Sequence, residues 1–348
     1  MFFKDSDLYA VDTKKHKQFR VTKDAYLRLA DWIYTDTIEY TKPIDNELIN
    51  SGILSESEDS NSYWAGDVYS YLFHNLTRNI SSKIPQLTEK EFIENYIKIS
   101  EKSSANLSKL ETTSLSKKTK ITLPQPDLNS LENKSILFAL YNRKTSRNFN
   151  NSPSSIEEIS TLLYLSFGYI HGTEWSEFKT LNIEQCGIRK SSPSASGLHA
   201  CDAYLAAINI NGIPEGIYLY DPTDHTLIEI TTSLNINEVK YFVCDQFWVD
   251  GISAGIFITI DLRKVWIKDP HIRGLPVAYA EAGHFSQTLQ LISTSLDLNT
   301  WITGTFRDEE VANKLDLKSD YQFPCFFVGV GYGENTAIPK EFFQLTAE

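Results

Sequence analysis

The residues of this sequence that could do chemistry gather in a few short stretches. Arg143, Thr145 and Arg147 alternate along Arg143-Lys144-Thr145-Ser146-Arg147. Two guanidiniums and a hydroxyl at that spacing can converge on one phosphate, because the arginine fork binds phosphate bidentately. The plainer reading is a solvated basic turn. Ser191-Ser192-Pro193-Ser194-Ala195-Ser196-Gly197 is a run of small residues. It lets a planar ligand approach the backbone closely, and it also reads as an ordinary loop. Glu281-Ala282-Gly283-His284, with Gln287 one turn on, sets an imidazole beside an apolar stripe. Such a histidine either relays protons or is a hydrogen-bonded part of the interior. Lys268-Asp269 offers a base if the lysine is partly desolvated, though most lysines are simply exposed. Gly329, Gly331 and Gly333 permit tight turning at the end of the last strand.

The elements that must position these groups are legible from periodicity. A helix starts near Ser135 and carries Ile136, Leu137, Leu140 and Tyr141; another starts at Ser154 or Ser155. There Ser155 and Glu158 form a capping-box pattern, continued by Ile156, Ile159, Leu162 and Leu163. The basic segment therefore sits between two helices. Residues 203–210, 216–220, 226–230, 254–262 and 326–330 are rich in β-branched and aromatic residues and read as strands. The strongest helix spans 277–296, with Ala282, Phe285, Leu289, Ile292 and Leu296 on one face. Gly283 within it costs about 1 kcal/mol, which points to a close backbone approach there.

Upstream, Leu8-Tyr9-Ala10-Val11 and Gln18-Phe19-Arg20-Val21 can pair as strands. Thr22 then caps a helix carrying Ala25, Leu29, Trp32 and Ile33, and a second helix follows Pro43. Residues 1–60 thus resemble a winged-helix element. After an acidic stretch over 55–62, an aromatic-rich helix over 63–80 is expected to bury Tyr63, Trp64, Val68, Tyr71, Leu72 and Leu76. Residues 101–133 are polar, interrupted by Pro124 and Pro126, and read as a linker. The expected organisation is a winged-helix-like module over 1–60, a helical segment and linker over 61–134, and a second domain over 135–348.

Composition limits the function classes. The chain has 348 residues, 41% apolar and 22% charged, which suits two globular domains. Its 33 Lys and Arg against 45 Asp and Glu give a net charge of −12, which disfavours a broad nucleic-acid or membrane surface. Cys186, Cys201, Cys244 and Cys325 are widely spaced without a CxxC pair, which disfavours a metal site and a disulfide framework. No apolar run approaches the roughly 18 residues of a membrane span. The expectation is a reducing, cytoplasmic setting. Phosphate-cradling P-loop, dinucleotide GxGxxG and HExxH patterns are missing from the sequence.

Taken in order, the segments resemble the flavin-dependent SagB-type oxidoreductases, the azoline dehydrogenases of the nitroreductase superfamily. The resemblance runs from about residue 136 to 335. The entry motif is similar to Arg143 through Arg147, followed by Phe149. The small-residue loop is similar to Pro193-Ser194-Ala195-Ser196-Gly197-Leu198-His199-Ala200, and the hairpin to Gly216-Ile217-Tyr218-Leu219-Tyr220-Asp221. The helix motif is similar to Glu281, Gly283, His284 and Gln287, and the terminal motif to Gly331-Tyr332-Gly333. This resemblance implies an α+β fold, a central antiparallel-rich sheet flanked by helices, usually in an intertwined homodimer that binds FMN. It implies that Arg143, Thr145, Arg147, Pro193, Ser194, Ala195, Ser196, Gln287, Gly304 and Gly331 hold the cofactor. His199 and His284 would face substrate, with no metal.

In the azoline oxidases a Lys-Tyr pair transfers the proton, and here that position reads Lys268-Asp269. An aspartate supplies no phenol and favours a charged ammonium over a free amine. A second departure is Ser196, with Gly197 displaced by one. The implied function is oxidation of thiazoline or oxazoline rings in a peptide, with the modified peptide and a cyclodehydratase complex as partners. Two alternatives stand beside it: an FMN-dependent reductase of dehydroamino acids, small activated alkenes or nitro compounds, and a weakly catalytic peptide-binding scaffold of a cyclodehydratase complex.

Overall fold

Local capping chemistry sets where the helices begin. The chain is described by a computed structural model covering residues 2–4, 7–12, 17–33, 43–51, 53, 65–78, 86–107, 110, 118–173, 176–180, 187–268, 270–318 and 320–346. It divides into two compact units, Met1–Gln86 and Leu87–Glu348.

In the first unit β1 (Phe2–Lys4), β2 (Asp7–Asp12) and β3 (Lys17–Arg20) form an antiparallel sheet, with Ala10 opposite Phe19 and Val11 opposite Gln18. The two N-terminal strand stretches pair as their sequences suggest. The Thr22 hydroxyl accepts from the Ala25 N–H at 3.2 Å and opens α1 (Lys23–Ile33); α2 (Pro43–Ser51) follows. Ala10, Val21, Ala25 and Leu48 make a small core. Arg28 clamps it by donating from Nε and Nη2 to the two carboxylate oxygens of Asp45 at 2.7 and 2.8 Å. Asp45 is only 1% exposed, so it needs that cation. The third helix, α3 (Val68–Leu76), begins where the Asp67 carboxylate accepts from the Tyr69 and Ser70 N–H groups. Its expected burial does not occur: none of its residues is buried, and Val68, Tyr69, Leu72 and Phe73 are exposed. Tyr63, Trp64 and the acidic stretch lie outside the described residues.

The second unit opens with α4 (Glu89–Leu107), then β4 (Lys120–Thr122), α5 (Ile136–Asn142), β5 (Asn148–Phe149), β6 (Ser154–Ser155), α6 (Ile156–Phe167) and α7 (Ser176–Thr180). There follow β7 (Cys201–Ala207), β8 (Ile210–Asn211), β9 (Gly216–Asp221), β10 (Thr226–Thr231), α8 (Ile236–Phe242), β11 (Ala254–Asp261), α9 (Leu262–Trp266) and α10 (Gly274–Ser295). It ends with β12 (Asn299–Thr303), α11 (Asp308–Lys314), β13 (Gln322–Gly331), β14 (Gly333–Glu334) and α12 (Lys340–Thr346). Ser155 makes the full capping box with Glu158, and Ser135 caps α5.

Among the described residues the main sheet has seven strands in the order β12-β13-β11-β7-β9-β10-β4, every neighbouring pair antiparallel. Side chains alternate between its faces. Ala203, Leu205, Ile256 and Ile258 face a core shared with α6 and α10. Tyr204, Ala206 and Phe257 face a second core shared with α8 and α11. The fold is thus mixed α+β, a large antiparallel sheet between helices, as expected. Two strands of the main sheet depart from the reading of the sequence. β4 lies inside the stretch that reads as a linker yet pairs with β10, Thr226 opposite Thr122. β12 was not foreseen, and it pairs along β13 from Asn299–Gly331 to Thr303–Phe327. Cys201, Cys244 and Cys325 are free thiols, while Cys186 lies outside the described residues.

Two outcomes test this account. Leu162→Ala empties a fully buried position in the α6 core and is expected to lower stability of the second unit by about 2–5 kcal/mol in urea unfolding. Arg28→Ala strands Asp45 without its cation, so amide protection should be lost over 7–51 while the second unit keeps its own, as read by hydrogen exchange.

Candidate active site

Three groups of the singled-out residues fall on different parts of the second unit. The basic segment leaves α5 at Arg143 and runs along the outer edge of β12, where Thr145 makes a parallel bridge to Thr300. The Ser146 N–H donates to the Thr300 carbonyl at 2.8 Å, and its hydroxyl donates to the Glu334 carbonyl at 2.7 Å. Arg147 turns toward the C-terminal segment. Its Nη1 donates to the Ala337 carbonyl at 2.8 Å and its guanidinium lies 5.2 Å from the Trp248 ring, while its Nε is buried without a partner. Thr300 Oγ1 is likewise buried and unpaired. Arg143 is half-buried, and none of the described residues offers its side chain a hydrogen bond or ion pair.

Gly331 belongs to this neighbourhood, because it pairs with Asn299 at the start of β12. Gly333 follows it in β14, where a Cβ would overlap the Asn148 carbonyl. Gly304 lies just beyond the opposite end of β12 and is exposed, so the ladder keeps it apart from Gly331.

The second group is built around a buried carboxylate. Glu281 on α10 accepts from the Cys201 N–H at 3.2 Å, from the Ala200 N–H and from the Ser194 hydroxyl. Burial pushes its carboxyl above the usual range, and these donors oppose that shift. The loop is also held by the shared hydrogen bond of the Ser192 and Thr288 hydroxyls at 2.8 Å, and by His284 Nδ1, 3.4 Å from the Pro193 carbonyl. Pro193, Ser194 and Ala195 are therefore fixed against the middle of α10, and His284 and Gln287 are exposed one turn apart on that helix. Ser196 and Gly197 complete a short 3₁₀ turn, Gly197 at φ +67°. Outside its own helix, none of the described residues lies within 4 Å of a Cβ placed on Gly283, so the close approach expected there is not seen among them.

His199 adopts φ +48°, with its N–H on the Ser194 hydroxyl at 3.0 Å and its Nε2 on the Ile188 carbonyl at 2.6 Å. Nε2 must then carry the proton, leaving the buried Nδ1 an unpaired acceptor. Burial, reinforced by Lys190, lowers its pKa to about 3, so the ring is neutral near pH 7.

The third position is Lys268, just past α9. Its Nζ lies 5.3 Å from the ring of Tyr96 on α4. Asp269 lies outside the described residues.

Beside the Glu281-anchored loop opens a cleft of about 790 Å³. His199, Lys190, Tyr169 and the Lys264–Asp202 ion pair line it. Sequence reasoning missed Lys190 and the Lys264–Asp202 pair: no spacing rule joins residues 62 positions apart. No group of His, Cys, Asp and Glu that could hold a metal occurs among the described residues, and no helix there is long and apolar enough to cross a membrane.

The donor set beside β12 fits an anionic phosphate. Among the described residues Arg143 has no carboxylate partner, and two polar atoms, Arg147 Nε in the same segment and Thr300 Oγ1 on the adjoining strand, are buried without partners.

A family model described as the nitroreductase family matches residues 140–332. A protein of Methanocaldococcus jannaschii named as a nitroreductase is 25% identical over 206 residues, covering 59% of this chain and 93% of its own. A solved structure from Anabaena variabilis, described as a nitroreductase, matches with a TM-score of 0.51 at 18% identity. That match covers 73% of this chain and 49% of the Anabaena chain, so it spans about half of that protein's length. A chain of the E. coli microcin synthetase McbBCD complex with truncated pro-MccB17 bound matches at a TM-score of 0.44 and 18% identity, covering 70% of this chain and 92% of that one. With the family model spanning more than half of its length, and with the helix-flanked antiparallel sheet already built from its own residues, this chain belongs to the nitroreductase family and is an oxidoreductase of that kind.

Proposed function

We propose that the chain is an FMN-dependent oxidoreductase that converts thiazoline or oxazoline rings of a modified peptide into thiazole or oxazole. One observation carries the azoline reading: Lys268 Nζ sits 5.3 Å from the Tyr96 ring. A lysine and a phenol therefore meet in space, although Asp269 follows the lysine in sequence. When bound, FMN would supply the hydride acceptor and the route by which electrons reach dioxygen. The rest is the work of the chain. Arg143 and Thr145 would hold the phosphate end, with Arg147 bracing the segment from the C-terminal side and Gly331 keeping the strand end slim.

Pro193, Ser194, Ala195 and Ser196 would lie against the flavin ring, with Glu281 fixing the loop from behind. His284 and Gln287 are the exposed polar groups on the same helix, His199 stiffens the loop, and Gly304 would border the site from the far end of β12. Lys268 would take the ring α-proton at Nζ, and the face of Tyr96 would stabilise the ammonium so formed. Within this reading, residues 1–60 are a winged-helix-like module that presents the peptide, 61–134 connect it, and 135–348 form the flavin domain. A cyclodehydratase that makes the rings, a second copy of the chain and a cytoplasmic setting complete it.

Asp269 favours a second reading, reduction of a dehydroamino acid, activated alkene or nitro compound, because such a reaction needs no base at that position. Rapid bleaching of bound flavin by NAD(P)H, with azoline peptides left untouched, would select it.

Two measurements test the proposal. The purified protein should be yellow and release FMN on heating, and Arg143→Ala should weaken FMN binding about 10- to 100-fold, the loss of one or two charge-assisted hydrogen bonds. A colourless protein that cannot be reconstituted would overturn the cofactor assignment. Lys268→Ala should slow azoline oxidation about 100-fold or more with flavin content unchanged. Undiminished turnover would remove the lysine from the reaction.

A further inference from the structure

Among the described residues, the cleft beside the Glu281-anchored loop contains one cation without a counter-charge. Lys264 is paired with Asp202 at 2.8 Å, Arg263 with Asp261, and Lys120 at the rim lies 3.3 Å from both Asp221 and Asp224. Lys190 is different. No carboxylate among the described residues pairs with it, and its ammonium rests 5.2 Å from the Tyr169 ring and 5.6 Å from the Phe285 ring. Aromatic faces stabilise a cation far less than a carboxylate does, and burial opposes the charge. The apolar and aromatic lining of the cleft includes Ile188, Leu198, Tyr169 and Tyr220, and Tyr220 lies in the same core as Phe285. His199 presents no second cation, since its ring is neutral.

We propose that this cleft binds a small organic carboxylate bearing a planar apolar group, with the carboxylate seated on Lys190 and the planar part against the tyrosine-lined wall. The chemistry of the cleft selects the ligand class. A neutral ligand would leave Lys190 unpaired, and a cation would meet it directly. A dianion would carry one charge more than the single unpaired ammonium answers. The volume of about 790 Å³ is that of an ordinary small-molecule site. The site stands independently of the flavin reading, although the loop between Pro193 and His199 borders both regions.

Burial lowers the Lys190 pKa to about 8, and an anionic aromatic reagent can report on it. The probe is 2,4,6-trinitrobenzenesulfonate, applied to the full-length protein at pH 8 and followed by peptide mapping. Its reaction forms a bond from Nζ to the ring carbon, expels sulfite and releases the amine proton to buffer. Lys190 should be labelled about ten-fold or more faster than the surface lysines, whose free-amine fraction at pH 8 is well under one in a hundred. Benzoate at about four times its Kd should slow labelling of Lys190 about five-fold and leave other lysines unchanged, while benzamide, equal in shape and uncharged, should not. Equal protection by both, or by neither, overturns the proposal. Lys190→Met should abolish benzoate binding in calorimetry without altering flavin content. Loss of flavin from that variant would assign the cleft to the cofactor instead. A colourless wild-type protein would defeat the flavin reading and leave the labelling result standing.

Discussion

Burial of β11 on both faces is the constraint on which the second unit depends. All eight of its residues are buried, so the strand can exist only between two helical layers. Ile256 and Ile258 require α6 and α10 on one side, and Phe257 requires α8 and α11 on the other. With both faces filled, little room remains for a ligand over the middle of the sheet. The groups able to do chemistry are displaced to its margins: the basic segment along the β12 edge, and the cleft at the strand ends near Asp202, Tyr220 and Asp261.

The margins are ordered by polar contacts of long sequence range. Glu281 holds a loop 80 residues upstream, and Lys264 reaches Asp202 across 62 residues. Of these carboxylates Glu281 is buried, which is costly, and it is matched by donors that make its placement unique. Glu281 shows the balance directly, with burial raising its pKa against three hydrogen bonds that lower it.

This division explains what could be read in the sequence. The Ser155–Glu158 capping box, the Thr22 cap, the pairing of β2 with β3 and the α10 stripe are local patterns, and each lies where the residues place it. β4 was hidden because Lys120-Ile121-Thr122 is too short to show a period, and only its pairing with β10 makes it a strand. β12 was hidden for a similar reason, since Asn299 and Thr300 look like a turn until β13 lies beside them. The motif residues of the candidate site could be named from their order along the chain. Lys190 could not, because its significance is the missing partner, and that is a property of a cavity. Tyr96 was likewise invisible beside Lys268, being supplied by α4 from far upstream.

The position of β4 carries a consequence for how the chain may be divided. β4 is the outermost strand beyond β10, and it comes from sequence that precedes α5. Three residues long and bearing Lys120, it is a poor template for further strand addition. A fragment begun at residue 135 would lack it. The β10 backbone would then present unpaired N–H and C=O groups, flanked by Leu227 and Ile228, to any other chain in solution. The short strand therefore protects solubility as well as closing the sheet, and the self-sufficient form of this unit includes the residues that supply it.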